Sequence, residues 1–251
     1  MNAQAAADSP VVLVTGGARR IGAAMVRALH ASGWRVAIHC NRSRAQADRL
    51  ARQLAERRPD STAVFAADLC EAGAGRRLAA AVAGRFERID ALVNNASVYY
   101  STPLASLEER ALDELLAINF RVPLLLVRDC LPYFAPSACV VNVLDALARR
   151  ARPCYVAYGA AKAAMWTATE ILALELAPAV RVNAVAPGHH IAWEEREPLS
   201  AAAQRAAPGR VPLKRLGTPE EVAAAVVYLL SPQGAFLNGV VLPVDGGLSL
   251  C

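Results

Sequence analysis

Hydrophobic residues occur along this chain in short unbroken runs, each followed by a longer stretch of mixed character. The runs are "VVLVT" (11–15), "RVAIHC" (35–40), "TAVFAAD" (62–68), "DALVNNA" (90–96), "ACVVNVL" (138–144), "VRVNAVAP" (180–187) and "GVVLPVD" (239–245). Their length and many β-branched residues predict strands, and their unbroken apolarity predicts strands covered on both faces. The stretches between them read as helices: 21–32 sets Ile21, Met25 and Leu29 four apart on one face. Further helical patterns cover 44–57, 72–86, 105–117, 120–131, 156–177 and 218–230. Such alternation predicts an α/β fold, a doubly wound parallel sheet of about seven strands with helices on both faces. Ligands of these sheets bind outside the carboxyl ends of the strands. No repeat or linker marks a second domain, so 1–251 reads as one. The segment 188–217 is irregular and carries prolines, which predicts a mobile flap.

Composition narrows the class. Hydrophobic residues are 55% of the 251, enough for a sizeable core and too many for a disordered chain. No apolar run reaches the roughly 18 residues that a membrane span needs. The opening "MNAQAAADSP" has neither a basic start nor an apolar centre and does not read as a secretion signal. Six cysteines without a C-x-x-C or metal-like cluster suit reduced thiols in a cytoplasm. The net charge of +5 raises the question of nucleic acid, but the arginines are interleaved with acids and form no basic block. Of 27 basic residues only Lys162 and Lys214 are lysines. Lys162 therefore stands out as a place where an amine is specifically needed.

"TGGARRIG" (15–22) directly follows the first strand and opens a helix. Gly16 and Gly22 permit a tight turn and close backbone approach, and a helix N-terminus attracts phosphate. An ordinary strand-to-helix turn has the same local look. Between Asp8 and Asp48 there is no acid, yet there are six arginines. A carboxylate at the end of the second strand would hold the ribose hydroxyls of NAD. Here "CNRS" offers Arg42 as a phosphate fork and Ser43 as a donor, which favours NADP over NAD. Arg42 as a solvated loop residue is the plainer alternative. Asp68 can accept a bond from an adenine amino group or cap a helix. Asn94, Asn95 and Ala96 either lie along a nucleotide or make a strand-end turn.

Tyr158 and Lys162, four apart, share one helix face. A nearby lysine cation is expected to lower the phenol pKa by roughly one to three units. The plainer alternative is an ordinary surface pair. Asp145 stands where the fifth strand ends, as a reactive carboxyl, a turn residue or a cap. His189 and His190 either face substrate or are solvated, and no residue cluster suggests a metal.

Together these pieces resemble the short-chain dehydrogenase/reductase family over nearly the whole chain. The residues that carry the likeness are "TGGARRIG", "AADL", "NNAS", Asn119 in "AINF", "YGAAK", "RVNAVAPG" and "PVDGG". Most members carry a serine thirteen residues before the tyrosine. Asp145 at that place, with "RRIG", "HCNRS" and "NNASVYYSTPL", is similar to the bacterial pteridine reductases. The resemblance implies a Rossmann-like single domain, NADP(H) as cofactor, a pterin or folate substrate and a homotetramer with contacts near 105–131 and 156–177. It implies Tyr158 as proton donor, Lys162 on the nicotinamide ribose, Asp145 beside Tyr158, and Asn119 supporting the lysine through water. Gly16, Arg19, Arg20, Ile21, Asn41, Arg42, Ser43, Asp68, Leu69, Asn95, Ala96, Ser97, Pro187 and Gly188 would line the cofactor. Arg20 and Ser97 would also touch the pterin, and Tyr99 would replace a phenylalanine that stacks on it. "PGHHIAW" departs from that pattern after Pro-Gly. On this reading a carboxyl in an apolar site, with its pKa raised, shares a proton with Tyr158 for delivery to a ring nitrogen. The competing expectations are a carbonyl reductase of the same family, for 3-oxoacyl or sugar ketones, and an NADP-binding sensor without turnover.

Overall fold

The protein is described here by a computed structural model covering residues 9–188 and 208–251. Seven strands form one parallel sheet: β1 (Val11–Val14), β2 (Arg35–Cys40), β3 (Thr62–Ala66), β4 (Ile89–Asn94), β5 (Phe134–Val143), β6 (Val180–Pro187) and β7 (Val241–Val244). Their spatial order is β3-β2-β1-β4-β5-β6-β7. The chain winds outward from β1 in one direction and from β4 in the other, so a crevice opens between the ends of β1 and β4. The helices are α1 (Arg20–Ala31), α2 (Arg44–Ala55), α3 (Ala74–Phe86), α4 (Glu109–Leu116), α5 (Val122–Cys130), α6 (Val156–Glu175) and α7 (Pro219–Leu230).

β1 shows why its run is unbroken. All four residues are fully buried, yet they serve two cores by turns. Val12 and Val14 join Met25, Leu29, Leu50, Val222 and Val226 beneath α1, α2 and α7. Val11 and Leu13 join Leu78, Val82, Phe86 and Leu126 beneath α3 and α5. Successive strand side chains point to opposite faces, and both faces are covered. At the start of α7, Thr218 and Glu221 form a reciprocal capping box and Pro219 follows the cap.

The observed elements refine the expected ones. The pattern at 72–86 starts at Ala74, behind Gly73 in left-handed backbone. The 105–117 and 120–131 helices are joined without a break by a five-residue π turn, Ala117–Arg121, which carries Asn119. Such turns insert one extra residue per turn and swing a side chain out of the regular helical register. Residues 208–217 of the expected flap are described, whereas His189 and His190 lie outside the described residues.

A buried amide ladder crosses the middle of the sheet. Asn94 Nδ2 donates to Asn142 Oδ1 at 2.9 Å, and Asn142 Nδ2 donates to Thr169 Oγ1 at 3.0 Å. Thr169 in turn donates to the Met165 carbonyl at 2.8 Å. The ladder pins β4 to β5 and β5 to α6. It also corrects the expectation for Asn94, whose side chain is buried between strands and does not face the crevice. Replacing Asn142 by Ala takes one buried partner from Asn94 and one from Thr169, which keep only the Pro123 and Met165 carbonyls, at about 1 kcal/mol each. Urea unfolding of Asn142→Ala should show a loss of at least about 2 kcal/mol, with an unchanged m-value.

Candidate active site

The carboxyl ends of β1, β2, β4, β5 and β6 open onto one cavity of about 1200 Å³. Of the described residues expected to touch cofactor or substrate, all line it except Leu69 and Asn94, and of the four expected catalytic residues only Asn119 does not. Leu69 is buried and packs with Val11 and Leu13, so its side chain belongs to the core. Asn119 is also buried, one layer beneath the wall.

At the β1 end, the turn is built for close approach. Gly16 has φ of +62°, and a Cβ there would lie 3.1 Å from Ala96 Cα. A Cβ on Gly22 would sit 2.2 Å from the Gly16 carbonyl, which only glycine avoids. Asn95 grips this turn, donating to the Thr15 and Gly16 carbonyls at 2.8 and 3.2 Å. His39, which the sequence reading did not single out, lies beneath it. Its Nδ1 accepts from Gly16 N at 3.3 Å, and Nε2 faces the Ala67 carbonyl at 3.0 Å. That pairing requires the neutral Nε2–H tautomer, and burial lowers the His39 pKa accordingly. The visible signal was a polar residue one place before the end of a buried strand.

α1 begins at this turn with Arg19 as N-cap, no side-chain cap and no acid in its first turn. The positive dipole end of a helix start without a side-chain cap suits an anion. Arg42 and Ser43 line the same cavity at the end of β2. Asp68 Oδ1 accepts from Cys70 N at 2.9 Å, so it makes a local turn, and the cap of α3 is Gly73. A glycine cradle without room for a Cβ, an uncapped helix start and basic residues at the β2 end together fit a dinucleotide.

At the β5 end, Tyr158, Lys162 and Asp145 meet. Tyr158 Oη donates to Asp145 Oδ2 at 3.1 Å, and Asp145 Oδ1 accepts from Leu147 N at 2.7 Å. Lys162 Nζ donates to the Val143 carbonyl at 2.9 Å and lies 5.9 Å from the Tyr158 ring centroid. Burial lowers the lysine pKa to about 8. The phenol is pushed up, first by burial and then by the Asp145 carboxylate. This is opposite to the shift expected from the lysine, because desolvation of the buried phenol and the carboxylate beside it both favour the neutral form.

Asn119 donates to the carbonyls of Val98 at 2.9 Å and Leu115 at 3.1 Å, and accepts from Ser97 Oγ at 2.6 Å. It therefore fixes the segment after β4 against the π turn. Tyr99 stacks on Tyr155, with centroids 5.1 Å apart and planes 14° apart. It meets the Tyr158 ring edge-on at 4.9 Å. Among the described residues no cluster of His, Cys, Asp or Glu can hold a metal ion.

A crevice at the sheet's switch point, a glycine turn and a Tyr-Lys pair at its far wall define a nucleotide-dependent oxidoreductase. The family model described as enoyl-(acyl carrier protein) reductase matches residues 16–249. The chain belongs to the short-chain dehydrogenase/reductase family. It is 37% identical over 249 residues to an uncharacterised oxidoreductase of Mycobacterium tuberculosis, covering 96% of this chain and 93% of the relative. It is 34% identical over 284 residues to pteridine reductase 1 of Leishmania tarentolae, covering 96% and 97%. It is 31% identical over 244 residues to the 3-oxoacyl-(acyl-carrier-protein) reductase of Thermotoga maritima, covering 96% and 98%.

The buried lysine makes a stability prediction. Between pH 8 and about 10.5 the unfolded chain keeps the Lys162 proton while the folded chain has lost it. The unfolded state then binds more protons, so this group's contribution to stability rises with pH across that window. Unfolding free energies of wild type and Lys162→Met, measured by urea from pH 7 to 10, should diverge in favour of wild type as pH rises.

Proposed function

We propose that this protein is an NADPH-dependent reductase of pterins, acting on dihydropterins and extending to oxidised pterins or dihydrofolate. The observation that carries the reading is the Tyr158–Asp145 hydrogen bond within the cavity. Reducing a carbonyl places the proton on oxygen, which a hydroxyl beside the tyrosine suffices to bond. A pterin presents C=N bonds in a flat, polar ring, and saturating one requires a proton on nitrogen. A carboxylate that orients the phenol suits that requirement. The likeness to a pteridine reductase over nearly the full chain supports the same substrate class.

The nicotinamide cofactor, when bound, supplies the hydride. Tyr158 holds the proton at Oη, where burial and Asp145 keep it until a basic nitrogen arrives. Asp145, fixed by Leu147 N at its other oxygen, aims the phenol. Lys162, tied to Val143, presents its ammonium group to the ribose hydroxyls. Asn119 keeps Ser97 and the β4 exit in place. Tyr99 supplies a flat wall for the ring. Arg42 and Ser43, with no acid at the end of β2, favour the 2′-phosphate of NADPH.

Carbonyl reduction is the competing reading, favoured by the 3-oxoacyl reductase relative. A binding protein without turnover is the reading of another class. The assembly we infer is a homotetramer, supported by exposed apolar residues on α6, Val156, Ile171 and Leu174. The compartment we infer is the cytoplasm, supported by six unpaired cysteines. Among the described residues no helix is long and apolar enough to cross a membrane.

NADPH absorbance should fall with dihydrobiopterin or dihydrofolate and stay flat with a 3-oxoacyl thioester. Asp145→Ser should lose the pterin activity, and Tyr158→Phe should lower kcat by roughly a hundredfold or more. Turnover of the thioester alone would sink the pterin reading, and silence on all three would leave a binding protein. Arg42→Ala should raise the KM for NADPH by roughly tenfold or more while changing that for NADH little. Equal effects on both cofactors would remove Arg42 from phosphate recognition.

A further inference from the structure

The loop from β5 to α6 carries three arginines, and two of them are absorbed by structure. Arg150 donates to the carbonyls of Ser249 and Cys251, and the guanidinium of Arg149 lies 5.4 Å from the centre of the Trp166 ring. The third, Arg152, lines the reaction cavity with Asp145, Tyr99 and Tyr158. Its guanidinium lies 4.0 Å from the centre of the Tyr155 ring and 5.3 Å from that of Tyr99, and Nη2 donates to Tyr99 Oη. Among the described residues no carboxylate forms an ion pair with it.

A half-buried guanidinium on an aromatic shelf is oriented, and its planar fork matches a carboxylate better than a neutral phenol. The phenol oxygen of Tyr99 accepts one of its donors and leaves the rest of the fork for a stronger acceptor. The position also limits what is bound. Arg152 is within 5.3 Å of the ring against which a flat substrate would lie, so the group it takes sits near that ring. The geometry points to Arg152 as a subsite for a carboxylate carried close to the substrate's reducible ring. Substrates with an acidic substituent there are preferred over neutral ones. This rests on the pterin reading for the identity of the ring, and not for the recognition of the carboxylate.

The test uses the whole protein saturated with NADP+. Fluorescence titration with pterin-6-carboxylate and with its methyl ester compares two ligands that differ in one charge. The acid should bind roughly ten- to a hundredfold more tightly. Arg152→Met should bring the ratio to about one, and Arg152→Lys should restore part of it, since a point charge replaces a fork. Equal binding of acid and ester by wild type, or a ratio that survives Arg152→Met, overturns the inference. A purely structural clamp on Tyr99 and Tyr155 would instead weaken both ligands alike and lower Tm. Turnover of dihydrobiopterin, followed separately, reports on the pterin reading. A charge preference without turnover would retain the carboxylate subsite and discard the pterin as substrate.

Discussion

The cavity's chemistry depends on one buried hydrogen bond, from Lys162 Nζ to the Val143 carbonyl. Burying an amine is costly, and the depressed lysine pKa shows that the cost is felt. The bond holds the first turns of α6 against the exit of β5. Tyr158 lies one helical turn earlier on the same face, and Asp145 lies two residues beyond Val143. Fixing Lys162 therefore brings the phenol to the carboxylate without any further device. The amide ladder from Asn94 through Asn142 to Thr169 supports the same arrangement from within the sheet. It locks the register of β4, β5 and α6, whose ends carry the site.

The sheet order explains why one cavity can hold both a nucleotide and a small substrate. β1 and β4 are neighbours whose following segments leave in opposite directions, so a crevice forms between them. The glycine turn after β1 and Asn95–Ala96 after β4 form its two sides. They are joined by hydrogen bonds from Asn95 and Ala96 to Thr15. The cluster of Tyr158, Asp145 and Lys162 lies one strand further, at β5. Side chains from the loops after β4 and β5, Tyr99, Asp145 and Arg152, line the cavity there.

Much of this was legible in the sequence for a physical reason. Strand identity follows from unbroken apolar runs, and strand ends follow from the first polar or small residues after them. Gly16, Arg42, Ala96, Asp145 and Pro187 sit at such ends and all reach the cavity. What was not legible depends on side-chain direction across distant elements. Asn94 and Asn95 are adjacent and alike, but strand alternation buries the first and turns the second to the crevice. Leu69 follows an acid at a strand end yet points inward. His39 looks like a stray polar residue until the turn folds over it. The contact of Arg152 with Tyr99 joins residues 53 apart in the chain, and no local pattern announces it. The shift of Tyr158 was misjudged for the same reason, because depth of burial is a property of the assembled wall.

The site's polar groups also show a consistent division of labour. Groups that hold position, Asn119, Asn95, Asn142 and His39, are neutral, with partners for their polar atoms, and they cost little to bury. Charged side chains line the cavity, among them Asp145, Arg152 and the buried Lys162, with Arg20 and Arg42 at the nucleotide end. Among these, Lys162 lies 5.9 Å from the centre of the Tyr158 ring and spends a donor on backbone, and Asp145 accepts the phenol's hydrogen bond. A serine in place of Asp145 would relieve the carboxylate's pressure on the phenol and leave the lysine unopposed, a balance suited to a phenol that readily loses its proton. The aspartate adds to the effect of burial and pushes the phenol pKa up. The choice of residue at one strand exit thus decides whether the phenol meets a carboxylate or a neutral group.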